Sequence, residues 1–227
     1  MTVKKAKVPK VSTPPSPLQL SIIKPKTINQ KKIFDYYNAE KHLFVHGSPG
    51  TGKTFLSIYL ALNSIEKEEY HKLVIVRSAV PSRKQGFLPG NENEKNEIFE
   101  LPYISIVDDL FRKRGSYKTL KMNDKINFLS TSYLRGITID DSVILIDEVQ
   151  NLNFMELHTI ITRIGQNCRV ILCGDEFQND LAYLHEDSCI NKLLNVIDRM
   201  PSFMKVEMSV NDICRNPLVK EWILANV

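Results

Sequence analysis

Residues 42–65 read HLFVHGSPGTGKTFLSIYLALNSI. The run Leu43, Phe44, Val45 has the character of a buried strand, and from Lys53 onward the apolar spacing is helical. Between them GSPGTGKT, residues 47–54, matches G-x-x-x-x-G-K-[ST]. Gly47, Gly50 and Gly52 let the backbone wrap tightly, so that successive amide N–H groups converge on phosphate oxygens. Ser48, Pro49 and Thr51 complete the cradle, and the following helix adds its positive N-terminal end. Lys53 is the cation for the β- and γ-phosphates, and the Thr54 hydroxyl is a ligand for Mg2+. A strand, a glycine turn and a helix in this order open a three-layer α/β domain with a mostly parallel sheet.

The rest of the chain repeats the alternation. KLVIV, INFL, VILID, RVILCGD and FMKVEMS read as strands; TINQKKIFDYY, YISIVDDLFRKRG, FMELHTIITRI, SCINKLLNVIDRM and NPLVKEWILAN read as helices. Ligands of such sheets lie at the carboxyl ends of the strands. In DSVILIDEVQN, residues 141–151, Val143 to Ile146 form a strand buried on both faces and Asp147 stands at its end. A strand-end aspartate beside a phosphate cradle holds Mg2+ directly or through water, which assigns Asp147. Glu148 is then set to polarise water for attack on the γ-phosphate, which favours hydrolysis over binding alone. A third strand ends in GDEFQND, where Gln178 is positioned to sense the γ-phosphate or the attacking water.

Composition narrows the setting. The 227 residues suit one generous domain. No apolar run reaches the roughly 20 residues that span a bilayer, and the N-terminus lacks the apolar core of a secretory signal. Cys168, Cys173, Cys189 and Cys214 show no C-x-x-C pairing, which fits reduced thiols and a cytoplasmic protein. The five histidines form no helical pair with metal-ligand spacing. Eight lysines and no acid precede Asp35, so the formal charge of +4 for the chain becomes −4 for residues 35–227. With five prolines as well, residues 1–26 read as a basic, disordered tail, and residues 27–227 as the single domain. Such a tail attracts nucleic acid or merely aids solubility.

Taken together the motifs resemble the PhoH family of P-loop ATPases, which are related to the RecA-like first core domain of superfamily 1 helicases. TINQ is similar to the helicase Q-motif, whose glutamine reads adenine; here that is Gln30. GSPGTGKT is the Walker A loop and LIDEVQN the Walker B segment, in which Gln150 links the ATP site to moving parts. VRSAVPSRKQGFLPG resembles the family's most distinctive segment, with Arg77 at a strand end before a basic loop. YLRGIT, TRIG, GDEFQND and ICRNPLV also fit, the last through Arg215. Ser78 departs from the family, which commonly has proline there. The chain has no room for the PIN ribonuclease domain of some relatives, nor for a second RecA-like domain. The resemblance therefore implies a ring, a hexamer, with each ATP between subunits. It makes Arg215 the first candidate for an arginine acting in trans and Arg163 the second, against an intramolecular ion pair for Arg215.

The cofactors expected are ATP and Mg2+, and the enzyme expected is an ATPase working on RNA or single-stranded DNA, helicase activity included. Arg83, Lys84 and Phe87 combine charge with an aromatic face suited to a single strand, with Arg77 beside them. Loop anchoring is the other reading of Phe87. Two alternatives remain from other classes: a nucleotide-controlled assembly module acting on a protein partner, and a small-molecule P-loop kinase. The kinase gains little from Glu148 and Gln178. A GTPase lacks its base-reading N-K-x-D motif here.

Overall fold

The structure, a computed structural model, describes residues 18–78, 92–131, 136–175, 189–214 and 216–225, with residues 92–97 described as backbone only. Candidates Arg83, Lys84, Phe87, Gln178 and Arg215 lie outside this set. Helix α1 (Ile28–Asn38) precedes β1 (His42–Gly47), α2 (Lys53–Glu66) and β2 (Lys72–Arg77). Then come α3 (Glu92–Leu110), α4 (Ser116–Met122), β3 (Ile126–Ser130) and β4 (Ser142–Asp147). The chain closes with α5 (Phe154–Ile161), β5 (Cys168–Gly174), α6 (Ile190–Ile197), β6 (Phe203–Met208) and α7 (Pro217–Ala225). Among the described residues the six strands form one sheet in the order β3-β2-β4-β5-β1-β6, and every pairing is parallel.

The apolar runs dictate this layering. Successive strand side chains point to opposite faces, so an uninterrupted run needs cover on both. Leu43, Val45, Leu73, Ile75, Val143, Leu145 and Ile171 enter one core with α1, α2, α3 and α4. Their neighbours Phe44, Val74, Val76, Ile144, Ile146 and Leu172 enter a second core with α5 and α6. Helix α2 is the central helix of the first layer, apolar on most of its circumference and buried from Leu56 to Leu62. Helix α5 starts on a capping box: Glu156 N donates to Asn153 Oδ1 at 3.0 Å, and Asn153 N donates to Glu156 Oε2 at 2.9 Å.

Three features depart from the expectations. Helix α3 starts at Glu92 and runs through Pro102, which a sequence reading takes as a boundary. The short helix α4 is held by tertiary bonds rather than by propensity: Asp108 accepts from Gly115 N at 2.8 Å and from Tyr117 N at 3.1 Å. The third feature concerns residues 18–26 alone. Residues 18–26 lie along the domain, with Ser21 N donating to Leu110 O at 2.9 Å and Leu20 N to Glu66 Oε1 at 3.2 Å. Leu20 is only 8% exposed and belongs to the first core. Averaging lysine and proline over 26 positions hid the apolar cluster LQLSII that anchors this strap. Among the described residues no helix is long and apolar enough to cross a membrane.

If the strap is part of the core, Leu20→Ala lowers the unfolding free energy by about 2 kcal/mol, as a large-to-small core change does. Urea denaturation of the two proteins measures it, and an unchanged midpoint rejects the anchoring.

Candidate functional site

The phosphate cradle is held against β6. Gly47 takes φ +109°, and a Cβ there would lie 2.2 Å from Met208 O, so only glycine allows the approach. Ser48 N donates to that same Met208 O at 2.8 Å. Gly50 and Gly52 also have positive φ, at +75° and +90°. Gly52 caps α2 without a side-chain bond, which leaves the helix N-terminal amides directed at a ligand. The buried Thr51 hydroxyl donates to Ser48 O at 2.9 Å and stiffens the loop. Lys53 Nζ donates to Gly47 O at 2.7 Å and Ser48 O at 2.8 Å, so its ammonium sits over the loop.

Across the cleft, the end of β4 presents Asp147, 5% exposed. Thr54 Oγ1 donates to its two oxygens, at 3.1 Å and 3.2 Å, and Tyr103 OH donates to Oδ2 at 3.0 Å. Burial, then the charge of Glu148, pushes the Asp147 pKa up to about 6, against the lowering effects of Arg77, Tyr103 and Thr54. Burial foremost, then Asp147, raises the Tyr103 phenol well above its ordinary value, so it stays a donor. Burial opposes the charge on Arg77, but Tyr103, Glu148 and Asp147 outweigh it and raise its pKa. Arg77, expected with the nucleic-acid loop, thus stands with the carboxylates of the cleft. Its guanidinium carbon lies 5.9 Å from the centre of the Phe99 ring.

Glu148 and Gln150 are joined. Gln150 Nε2 donates to Glu148 Oε2 at 2.5 Å, and its Oε1 accepts from Asp175 N at 2.9 Å. One amide therefore ties the residue after β4 to the residue after β5. Gly174 makes room for this, since a Cβ there would come within 2.6 Å of Val149. On the far side of the cradle, Gln30 is 4% exposed. Its Nε2 donates to Thr51 O at 3.1 Å and approaches Cys214 Sγ at 3.4 Å, while its Oε1 accepts from Lys26 N at 2.8 Å. The Q-motif glutamine thus braces the cradle, the strap and the C-terminal segment. Asp212 makes the adjoining link, accepting from Thr27 Oγ1 at 2.5 Å and Asn29 Nδ2 at 2.9 Å.

Many of these groups line one cleft of about 840 Å3, which also takes in Lys24 and Lys26 of the strap and Ser105 and Asp109 of α3. That volume suits a nucleotide-sized ligand. Gly50 to Thr54, Gln30, Arg77, Asp147 and Glu148 are all brought together there. Arg163 is not: its carbonyl accepts from Ile139 N at 2.8 Å, ahead of β4 and β5 at the amino ends of the strands, opposite the cleft. Sequence reasoning missed Tyr103, Asp212 and the strap lysines, because nothing local to them marks a site. Among the described residues no three His, Cys, Asp or Glu side chains gather as a metal cage. The carboxylate of Asp147 and the hydroxyl of Thr54 are instead the sparse, hard oxygen set that suits Mg2+, which keeps its waters and phosphate ligands.

A phosphate cradle after the first strand of a parallel, helix-covered sheet, facing acids at the end of another, is the build of RecA-like P-loop NTPase cores. A family model described as PhoH-like protein matches residues 22–226, and the chain belongs to that family. The PhoH-like protein of Mycobacterium leprae (strain TN) is 30% identical over 202 residues, covering 88% of this chain and 57% of that protein. Protein PhoH2 of Bacillus subtilis (strain 168) is 36% identical over 186 residues, covering 78% of this chain and 41% of its own. The chain thus spans about half the length of these relatives. Among solved structures, a large terminase from a thermophilic bacteriophage, in complex with ADP, is similar with TM-score 0.48 and 11% identity, over 88% of this chain and 49% of that one. A Sulfolobus solfataricus SWI2/SNF2 ATPase core in complex with dsDNA gives TM-score 0.46 and 11% identity, over 85% and 46%.

The buried Asp147 makes a prediction with a definite sign. Its folded pKa of about 6 exceeds the ordinary 3.8, so its contribution favours the fold at low pH and is lost as pH rises through 6. Asp147→Asn removes that cost and stabilises the protein at pH 8 by on the order of 2 kcal/mol. The gain shrinks as pH falls from 6 towards 4. Chemical denaturation at pH 8, 6 and 4.5 tests this; a variant less stable at pH 8 contradicts it.

Proposed function

We propose that this protein is an Mg2+-dependent ATPase that assembles as a ring, a hexamer, and works on RNA or single-stranded DNA in the cytoplasm, with strand separation as one form of that work. The observation that carries the hydrolytic part is Glu148 standing beside Asp147 in the cleft of Lys53 and Thr54. A binding protein needs the cradle but not a second acid. Thr54 and Asp147 would hold Mg2+, which would supply positive charge to neutralise the phosphates. Lys53 leaves its loop carbonyls for phosphate oxygens, and the amides of residues 50–54 hold the remaining charge. Glu148 accepts the proton of the attacking water, held in aim by Gln150. Gln178 reads the γ-phosphate, and Gln30 lies at the base end of the cleft, where adenine is the assigned ligand.

Support for the nucleic-acid part is chemical. The sequence PSRKQGFLPG combines Arg83 and Lys84 with Phe87, and single strands bind where cations and aromatic faces alternate. The leading arginine for a trans contact is Arg215, adjacent to Cys214 at the cleft wall; Arg163 is second. A module that uses ATP to govern assembly on a protein partner shares the same hydrolytic residues and is the second reading.

ATP turnover with and without single-stranded RNA and DNA, across a salt series, decides between them. Stimulation that fades with salt supports the nucleic-acid reading, and turnover indifferent to every strand supports the assembly module. Lys53→Ala loses nucleotide affinity, whereas Glu148→Gln binds ATP and loses turnover by about a hundredfold or more. Normal turnover by Glu148→Gln removes the assigned base. Mixing Arg215→Ala with Lys53→Ala subunits restores activity if the arginine serves a neighbour's ATP.

A further inference from the structure

We propose that Tyr103 is a positioning residue for metal binding: its hydroxyl, 3.0 Å from Asp147 Oδ2, sets the plane of the carboxylate that would share Mg2+ with Thr54. The inference rests on the Mg2+-dependent reading of this cleft. An aspartate carboxyl turns about a soft, roughly two-fold torsion, so one neighbour does not fix it. Thr54, on α2, donates almost equally to both oxygens, at 3.1 Å and 3.2 Å, and so leaves that torsion loosely defined. Tyr103 selects one oxygen from a different helix. Its ring is immobilised: Tyr103 is 0% exposed, and Phe128 of β3 packs at 5.8 Å between centroids. The neighbouring Pro102 lines the cleft, so this turn of α3 forms part of its wall.

A packing role alone does not call for the oxygen. Phenylalanine would fill the same space without burying a hydroxyl, which carries a cost that its hydrogen bond must offset. The bond goes to Asp147, the carboxylate that Thr54 also bonds, 44 residues away in sequence. Partners of metal ligands commonly act in this way, and their removal weakens metal affinity by about 10- to 100-fold.

Tyr103→Phe removes only the hydroxyl. Mn2+ binding to the nucleotide complex, followed by electron paramagnetic resonance, is measured at 10 °C beside the Mg2+ dependence of turnover. We expect the half-saturating metal concentration to rise about tenfold, with nucleotide affinity in EDTA within about twofold of the parent. Phe128→Leu, which loosens the ring without touching the oxygen, is the structural control. It should lower the melting temperature and leave the metal requirement within about twofold. A Tyr103→Phe protein with the parent's metal requirement overturns the proposal, as does Phe128→Leu shifting that requirement equally. If the parent protein binds Mn2+ with nucleotide but never hydrolyses it, the ATPase reading fails while the resonance titration still judges Tyr103.

Discussion

A carboxylate at the end of a strand covered on both faces is largely withdrawn from water, and Asp147 is such a carboxylate. It must draw hydrogen bonds and charge from whatever the fold brings beside it. The sheet supplies the first of these through register: β2 pairs with β4 so that Arg77 stands opposite Asp147. The first helical layer supplies the other two, Thr54 from the start of α2 and Tyr103 from the middle of α3. Three segments far apart in sequence are therefore fixed by the needs of one buried group. Burial and the neighbouring charge of Glu148 nevertheless raise its pKa, against the lowering effects of Arg77, Tyr103 and Thr54. The cost of burying Asp147 is thus only partly offset by the groups around it.

The same logic extends outward through two amides. Gln150 joins the chain after β4 to the chain after β5, and Gln30 joins the cradle to the strap and to Cys214. Each is nearly buried, so each can move only if its partners move with it. Neither is a passive filler, because an apolar side chain in either position would leave backbone donors or acceptors unpaired. The cleft is consequently a junction at which strand ends, strap and C-terminal segment meet. A ligand that displaces Gln30 from Thr51 would be felt at Cys214.

Much of this junction was legible in the sequence, for a physical reason. Strands covered on both faces cannot alternate polar residues, so Val143 to Ile146 and Val170 to Cys173 stood out as uninterrupted runs. The cradle was legible because glycine is demanded wherever φ is positive and backbones nearly touch, as at Gly47 against Met208. What was hidden lies in contacts with no local signature. Tyr103 sits in an ordinary apolar helix, and only the fold reveals that its hydroxyl reaches Asp147. Asp212 reads as a surface acid in SVNDIC, yet it is 3% exposed and holds Thr27 and Asn29. The strap was obscured by composition, and α4 by the dependence of its first turn on Asp108.

Backbone strain sets Glu148 apart from the other residues of the cleft. Among the described residues, seven other than glycine adopt positive φ: Glu40, Glu68, Arg112, Asp124, Asp141, Glu148 and Asn167. The first four follow the ends of α1, α2, α3 and α4, where a left-handed residue is the ordinary way to stop a helix. Asp141 and Asn167 precede strands and are of the types that tolerate this conformation best. Glu148, at φ +53°, has neither excuse. Glycine there would relieve a cost of about 1 kcal/mol but would remove the carboxylate. The turn keeps Asp147 at the strand end and swings the next side chain into reach of Gln150, so that both acids face one cleft. Strain is thus retained at a strand end where relief would delete one of the carboxylates of the cleft.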